Sequence, residues 1–256
     1  VRDALKPNLL QTIEGTPAFI HTGPFGNIAH GNSSILADFM ALRCGEFVVT
    51  ESGFGADLGF EKFVDIKCRA GGVPPSAAMV VATVRACKLH GGDFDVKPGK
   101  PLPVELLRED AEAVERGSCN LAHMIGLVRT AGLPAVVAIN RFPADTDREL
   151  EAIRRAAMAA GAAGVDVIEA YARGGAGAEA VARLVVKACE GPSSLRMFYD
   201  AARPLREKIE TIARVVYGAA GVDFSPRALG ELERYEAWGL GGLAVCMAKT
   251  QLSISH

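Results

Sequence analysis

The sequence predicts an α/β fold built on doubly wound, mainly parallel sheets. Short apolar runs alternate with longer segments that have helical patterning. Each short run is bounded by Gly or Pro and is apolar nearly throughout, as expected for strands buried on both faces. Regular alternation of strand and helix is typical of parallel α/β proteins. The predicted strands are 17–22, 46–52, 77–85, 134–141, 165–172 and 243–250, and the predicted helices are 30–43, 59–70, 104–131, 146–160, 176–190, 203–217 and 226–237.

Composition excludes several classes of protein. The 256 residues are 49% hydrophobic and 23% charged, a globular balance far from that of disordered chains. The formal net charge is -2 and no Lys/Arg cluster stands out, so a nucleic-acid partner is not predicted. The longest apolar runs are too short to span a bilayer. Six cysteines are widely spaced without a CxxC pair, which favours reduced thiols in a cytoplasmic protein and predicts no metal site.

One segment has the composition of a boundary between domains. Residues 91–103, GGDFDVKPGKPLP, are rich in Gly and Pro and poor in apolar side chains. We therefore predict one α/β domain over 1–95 and a second over 96–242. The last predicted strand, within 243–256, is expected to return to the first domain.

The run HTGPFGNIAHGNSS, residues 21–34, follows the first predicted strand and leads into a helix. In open parallel sheets, ligands bind beyond the carboxyl ends of the strands. Backbone N–H groups from Gly26 to Gly31, together with a helix N-terminus, suit an anion and above all a phosphate. A Gly-rich turn ahead of a capped helix explains the same pattern, and both interpretations stay open. The loop is not a Walker A motif, because no G-x-x-x-x-G-K-[ST] occurs in the chain.

Two further strand ends carry charged side chains. In ESGFGADLG, residues 51–59, Glu51 and Asp57 are candidates to hold a metal–phosphate or a cation, or simply to cap the next helix. Arg85, Lys88 and His90 follow the third predicted strand. They form either a cationic pocket or a solvated cluster of charges.

Aromatic side chains follow the next two predicted strands. Phe142 comes after 134–141, and Tyr171 lies at the end of 165–172. Two rings at adjacent strand ends are suited to sandwich a flat heterocycle, although a core contact is the ordinary role of such a ring. Lys249 and Thr250, at the end of the last predicted strand, are candidates to touch a nucleotide base or phosphate. From the residues alone we predict a protein that binds a phosphorylated small molecule, and these residues indicate no particular reaction.

Six long collinear blocks resemble the formate–tetrahydrofolate ligase family. They lie in the family's order and span nearly all of the chain. The blocks are KPNLLQTIEGTPAFIHTGPFGNIAHGNSSILAD (6–38), FVVTESGFGADLGFEKFVDIKCR (47–69), VVATVRACKLHGG (80–92), VVAINRFPADT (136–146), KIETIARVVYGAAGVDFSP (208–226) and VCMAKTQLSIS (245–255).

The resemblance implies an ATP-dependent ligase that attaches formate to N10 of tetrahydrofolate and releases ADP and phosphate. Formyl phosphate is the implied intermediate, and ATP with Mg²⁺ is the implied co-substrate. A monovalent cation and a homo-oligomeric full-length enzyme are also expected. The implied architecture is a partial domain like that of P-loop NTPases, followed by a second, Rossmann-like α/β domain.

The resemblance also implies roles for particular residues. Tyr171 stands where many family members carry Trp, so the implied pterin sandwich has a smaller ring on one side. The implied catalytic residues are His30, Asn27 and Gly31, those binding formyl phosphate or folate are Phe25, Gly26, Ala29, Phe142, Pro143 and Tyr171, and those on the nucleotide side are Ser33, Lys249 and Thr250.

One departure from the family pattern concerns activity. The family's GEGKT-type P-loop belongs upstream of this sequence, and its Pro/Gly-rich C-terminal segment has no counterpart here. We therefore expect a fragment with the folate side and part of the nucleotide side, and without turnover on its own. The alternative is a folate-binding module that performs no catalysis.

Overall fold

A computed structural model of the chain describes residues 3, 6–20, 32–92, 94, 96, 99–248 and 254. These residues form two compact units. Unit 1 comprises the described residues of Val1–Pro74 and Arg196–Ile254, and unit 2 those of Pro75–Leu195. Within the described residues, no helix is both long and apolar enough to cross a membrane.

The elements follow one another in the order expected of an α/β chain. They are β1 (Asn8–Gln11), β2 (Pro17–Ile20), α1 (Ile35–Ala41), two π-helical stretches (Ala56–Phe60 and Phe63–Cys68), α2 (Arg69–Gly71), β3 (Ala78–Ala82), α3 (Val84–Gly91), a 3-10 turn (Val104–Leu107), α4 (Ala111–Thr130), β4 (Ala135–Asn140), α5 (Asp147–Ala159), β5 (Gly164–Ile168), α6 (Ala170–Arg173), a second 3-10 turn (Gly174–Gly177), α7 (Glu179–Ala188), α8 (Leu205–Val215) and α9 (Pro226–Ala237).

A parallel three-stranded sheet forms the centre of unit 2. Its strand order is β3-β4-β5, so β4 is the central strand. Ala82 pairs with Ile139, and Asn140 pairs with Ile168, which brings the carboxyl ends of all three strands to one edge. The sheet confirms the predicted α/β class and a strand at each of 77–85, 134–141 and 165–172, although 84–85 belong to α3 and 170–172 to α6.

Helices cover the sheet of unit 2. Val136 and Ala138 point to one face, where they form a buried cluster with Val181 of α7. Val137 and Ile139 alternate with them and are also fully buried, and α4 and α5 contact β4 as well. Side chains on both faces of β4 are buried, which explains why this strand is apolar nearly throughout.

Helices α3 and α4 approach each other closely within unit 2. A Cβ atom added at Gly117 of α4 would lie 1.8 Å from the backbone oxygen of Cys87, and one added at Gly91 of α3 would lie 1.8 Å from that of Ala113. The contact depends on two glycines, because it leaves no room for a side chain at either position.

The two compact units divide the chain elsewhere than at the predicted boundary of 91–103. Strand β3 precedes that segment and pairs with β4 beyond it. The packing of α3 against α4 crosses the same segment. Hydrogen bonds and helix packing therefore tie both of its sides into unit 2, and a loop rich in Gly and Pro here connects two helices of one unit.

Unit 1 begins with an antiparallel hairpin. Strand β1 pairs with β2 in the register Asn8↔Ile20. The turn between them is closed by a hydrogen bond from the Thr12 N–H to the Thr16 oxygen, and Gly15 adopts a φ of 87°. A strand was predicted at 17–22 as part of a parallel sheet, and that orientation is wrong. Strand β1 was not predicted, because NLLQ is short and every residue in it is exposed.

Two predicted strands of unit 1 do not form. Residues 46–52 have no strand in the structure, and neither do 243–248, the described part of the strand predicted at 243–250. A strand requires a neighbour with which to exchange backbone hydrogen bonds. Phe47 is 55% exposed and Val49 is 85% exposed, so the apolar character of this run does not reflect burial within the described residues.

The π-helical stretches lie in the core of unit 1. Phe60 packs edge-to-face against Phe198 with ring centroids 6.4 Å apart. The hydroxyl of Tyr217 donates to the backbone oxygen of Asp57 at 3.2 Å, and the N–H of Val245 donates to the Tyr199 hydroxyl at 2.9 Å. The first two contacts hold the C-terminal part of unit 1 against its N-terminal part, and the third joins two segments of the C-terminal part.

Candidate ligand-binding site

Most of the predicted phosphate-binding loop lies outside the described residues. The same holds for the predicted residues near the end of the chain. The site residues concerned are Phe25, Gly26, Asn27, Ala29, His30, Gly31, Lys249 and Thr250.

The structure brings the end of that loop to the second Gly-rich loop. The side-chain Nδ2 of Asn32 donates to the Glu51 backbone oxygen and to Ser52 Oγ, both at 2.7 Å. Both acceptors belong to the segment that leads into 52–59. Two loops that the sequence singled out separately are therefore neighbours in unit 1.

Ser33 and Ser34 lead from the first loop into α1. Ser34 is the N-cap, since its Oγ accepts a hydrogen bond from the Ala37 N–H at 3.1 Å. Ser33, predicted for the nucleotide side, is half-buried just before this cap. The capped helix that the sequence offered as the simpler interpretation is present.

The second loop is closely packed and carries a strained residue. A Cβ atom at Gly59 would lie 2.0 Å from the Gly53 oxygen, so these two glycines are in contact. Phe54 between them has a φ of 67°, a conformation that costs a bulky residue free energy, and its ring is 64% exposed. Asp57 is buried and Glu51 exposed, so these two carboxylates lie in different environments.

A group of buried charges follows this loop. Lys62 Nζ lies 3.5 Å from Glu61 Oε2, and both side chains are almost fully buried. Burial raises the pKa of Glu61 to about 8. Burial also raises the pKa of Asp65 to about 6, although its carboxylate accepts the Phe198 N–H at 2.9 Å and lies 3.4 Å from Arg69. The sequence analysis missed this group, because EKFVD on a helix resembles an ordinary solvated face.

Phe142 and Tyr171 lie beyond the carboxyl ends of adjacent strands of unit 2. Phe142 follows β4 and is half-buried, and Pro143 beside it is exposed. Tyr171 follows β5 in the short helix α6 and is fully exposed. The parallel pairing of β4 with β5 places both rings beyond the same edge of the sheet.

A tight turn fixes the backbone at Phe142. The Phe142 N–H donates to Asp145 Oδ2 at 2.8 Å, and the Asp145 N–H donates to the Phe142 oxygen at 3.0 Å. Asp145 is buried, and this burial raises the pKa of its carboxyl group. Thr146 and Glu149 then start α5 with a capping box. The turn holds the ring at the end of β4.

Arg85 lies over the ring of Phe142. Its Cζ is 4.2 Å from the ring centroid, within the range of a cation–π contact. Lys88, which the sequence placed with Arg85 in one cluster, is instead buried, with Nζ 2.8 Å from Glu149 Oε1. His90 is exposed. The charge of Lys88 is therefore paired within the fold, and Arg85 is the side chain of the cluster that meets a predicted site residue.

The turn that carries Tyr171 is closed by a second loop. The Glu169 N–H donates to the Gly177 oxygen at 2.9 Å. A Cβ atom at Gly177 would lie 2.5 Å from the Glu169 oxygen, so the run GGAG can pass this close only because Gly177 lacks a side chain. This contact anchors both ends of the segment that presents Tyr171.

Comparison with known proteins connects this arrangement to one family. A profile of the family described as formate–tetrahydrofolate ligase matches residues 1–256. The chain belongs to the formate–tetrahydrofolate ligase family. It is 54% identical over 258 residues to the formate–tetrahydrofolate ligase of Chloroflexus aggregans, 53% identical over 258 residues to that of Roseiflexus castenholzii, and 52% identical over 256 residues to that of Desulforamulus reducens.

The matches cover all of this chain but only part of each relative. Each comparison covers 100% of this chain and 45% of the relative. The chain therefore spans a little less than half the length of the ligases it resembles. Membership of the family is established for the whole chain, whereas the activity of the longer relatives is a separate question.

Within this family member, the described residues include one part of the predicted site and leave out most of the other. Phe142, Pro143 and Tyr171 lie where strand ends of one sheet meet. Two shallow surface depressions, one along α7 and one beside α8 and α9, contain none of the predicted residues. Across the described part of the chain, no group of three or more His, Cys, Asp or Glu side chains is placed to hold a metal ion.

Proposed function

We propose that the chain provides the folate side, and part of the nucleotide side, of an ATP-dependent formate–tetrahydrofolate ligase. In this reaction formate attacks the γ-phosphate of ATP and forms formyl phosphate and ADP. N10 of tetrahydrofolate then attacks the formyl carbon and displaces phosphate, which gives 10-formyltetrahydrofolate. Mg²⁺ would accompany ATP and neutralise charge on its phosphate oxygens.

The observation that carries the proposal is the position of two aromatic rings. Phe142 and Tyr171 follow adjacent parallel strands, and each sits on a turn fixed by hydrogen bonds. A pterin is a flat heterocycle, and aromatic rings bind such a group by offset stacking. The edge of a parallel sheet where the strands end is the usual position of a ligand in an α/β protein.

The reaction also requires stabilisation of negative charge. Both steps develop charge on phosphate oxygens, so preorganised donors would supply most of the rate enhancement. We propose that the loop 21–31 provides these donors through its backbone N–H groups, with Asn27, His30 and Gly31 closest to the reacting atoms. Phe25, Gly26 and Ala29 would line the formyl phosphate, and Ser33, Lys249 and Thr250 would face the nucleotide.

Further features remain proposals that rest on family membership. They are a partial domain like that of P-loop NTPases in unit 1, a Rossmann-like unit 2, a monovalent cation, a homo-oligomeric full-length enzyme and a cytoplasmic location. Because no G-x-x-x-x-G-K-[ST] motif occurs in these 256 residues, we also propose that the chain alone does not turn over ATP.

Titration with tetrahydrofolate tests the folate side directly. Isothermal calorimetry should detect binding to the wild-type chain. Phe142→Ala and Tyr171→Ala should each weaken it by about threefold to tenfold, the range expected for loss of one stacking ring. Tyr235→Ala, an aromatic truncation on α9 of unit 1, is the matched control and should leave the dissociation constant unchanged. Wild-type chain that takes up no tetrahydrofolate at near-millimolar concentration would contradict the proposal.

Turnover distinguishes the ligase from a module that binds folate without catalysis. We expect no formate-dependent release of ADP from the isolated chain with MgATP, formate and tetrahydrofolate. Release of ADP that depends on both formate and tetrahydrofolate would show that the chain is catalytic without a P-loop lysine, and it would overturn the proposed inactivity. Folate binding without release of ADP from any longer form of the protein would favour the non-catalytic module.

A further inference from the structure

We propose that Arg85 is a positioning residue for Phe142, and that it restricts a planar ligand to one face of this ring. The inference rests on the proposed function, since the ligand is the pterin of tetrahydrofolate. It adds a residue from a different strand end to the two that carry the stacking. It also assigns to Arg85 a role distinct from that of Lys88, its neighbour on α3.

Arg85 lies close over the ring of Phe142. Its Cζ lies 4.2 Å from the Phe142 centroid, closer than the other Arg–aromatic contacts among the described residues, which lie between 5.2 and 6.0 Å. The Nε of Arg85 is buried and has no hydrogen-bond partner in the described part of the chain. A hydrogen bond at Nε therefore does not hold the guanidinium, and its contact with the ring helps to orient it.

Other charged side chains lie near this pair. Asp145 lies five residues beyond the end of β4 and interacts electrostatically with both Arg85 and Lys88. Lys88 is occupied by Glu149 and by the Arg108 backbone oxygen, each at 2.8 Å. Arg85 is thus the cation left to cover the ring.

A cation on one face has two consequences for the other face. First, the guanidinium occupies the volume in which a second planar group would stack, so one ring face remains for the ligand. Second, the cation draws π-electron density toward itself, because a ring face carries the negative part of the quadrupole. The opposite face then becomes a better partner for an electron-rich heterocycle such as a reduced pterin.

Binding measurements on the full 256-residue chain test this role. We would measure the dissociation constant of tetrahydrofolate by calorimetry for wild type, Arg85→Met, Arg85→Lys, Phe142→Ala and the double variant Arg85→Met/Phe142→Ala. Arg85→Met should weaken binding by about threefold to thirtyfold, the fold-change that corresponds to one cation–π contact. Arg85→Lys keeps the charge without the planar group and should fall between wild type and Arg85→Met.

The double variant separates positioning from direct contact with the ligand. If Arg85 acts through the ring, Arg85→Met should change the dissociation constant by less than about twofold in the Phe142→Ala background, because coupled residues are not additive. Arg206→Met is the matched control, since Arg206 lies over Phe224 in unit 1 at 5.3 Å. This control should bind tetrahydrofolate as wild type does.

The outcomes are distinguishable. Equal binding by wild type and Arg85→Met overturns the inference and leaves the proposed function intact. An equal loss in both backgrounds also overturns it, because Arg85 would then act on the ligand directly. Absence of binding by wild type overturns the proposed function and the inference with it. Thermal melts followed by circular dichroism verify folding, and Arg85→Lys carries the test if Arg85→Met does not fold.

Discussion

Replacement of Gly117 by Ala should separate α3 from α4 and destabilise unit 2. The added Cβ would lie 1.8 Å from the Cys87 backbone oxygen, where real Cβ atoms come no closer than 3.0 Å. Backbone atoms cannot rotate away as a side chain can, so the two helices must move apart by roughly 1 Å. Helix α3 also carries Arg85, and the displacement should therefore reach the contact with Phe142.

The magnitude follows from two opposing effects. Overpacking of this kind costs about 3 kcal/mol, and replacement of Gly by Ala inside a helix returns about 1 kcal/mol. The net loss of about 2 kcal/mol should lower the melting temperature by roughly 4–8 °C. Gly126 in the same helix is the matched control, because a Cβ there would meet nothing within 4 Å. Gly126→Ala should raise the melting temperature by roughly 2–4 °C.

Differential scanning calorimetry of the three chains measures both shifts. A Gly117→Ala chain that melts at or above the wild-type temperature would refute the reasoning, since it would mean that α3 and α4 do not touch at these glycines. If both variants were destabilised equally, the loss would reflect helix α4 itself and not the crossing.

Two further predictions concern buried carboxylates. Glu149→Gln should lower the free energy of unfolding at pH 7 by about 3–5 kcal/mol, because it leaves Lys88 buried without its partner. Urea melts measure this change, with the exposed Glu151→Gln as the control. Equal urea midpoints for Glu149→Gln and wild type would contradict the prediction. Burial acts to raise the pKa of Glu149, but hydrogen bonds from Lys88 and backbone N–H groups outweigh it, so the pKa is lowered. This stabilisation is therefore present above the ordinary pKa of 4.5 and is lost as pH falls through the lower, folded-state pKa. Burial raises the pKa of Glu61 from 4.5 to about 8, so the folded chain binds more protons between these values. The free energy of unfolding should therefore fall as pH rises through that window, and Glu61→Gln should reduce this dependence on pH. A Glu61→Gln variant with the same dependence on pH as wild type would contradict the raised pKa of Glu61.

Local patterns in the sequence predict unit 2 well. Strands β3, β4 and β5 are apolar runs with clear Gly or Pro boundaries, and all three form. The start of α5 also agrees with the helix predicted at 146–160. Thr146 and Glu149 have the spacing of a capping box, and the structure contains both of its hydrogen bonds. These features depend on neighbours in the sequence, so a single sequence is enough to find them.

The strands of unit 1 agree less well with the sequence-based prediction, because whether a strand forms there depends on which segment it can pair with. Residues 46–52 and 243–248 have strand composition, but no strand lies beside them within the described part of the chain. Residues 17–20 have the same composition and pair antiparallel with NLLQ, a segment without strand character. Composition indicates that a run is apolar, and it does not indicate which neighbour, if any, will accept its hydrogen bonds.

The sequence by itself determined the α/β class, the family and the two aromatic residues that follow adjacent strands. Tertiary structure decided which side chains meet. Arg85, Lys88 and Phe142 come from two strand ends more than 50 residues apart, and only folding places Arg85 over the ring while it buries Lys88 against Glu149. The physical reason is range: apolar periodicity and capping act within a few residues, whereas cation–π contacts, buried ion pairs and the glycine crossing of α3 with α4 depend on distances that chain topology alone sets.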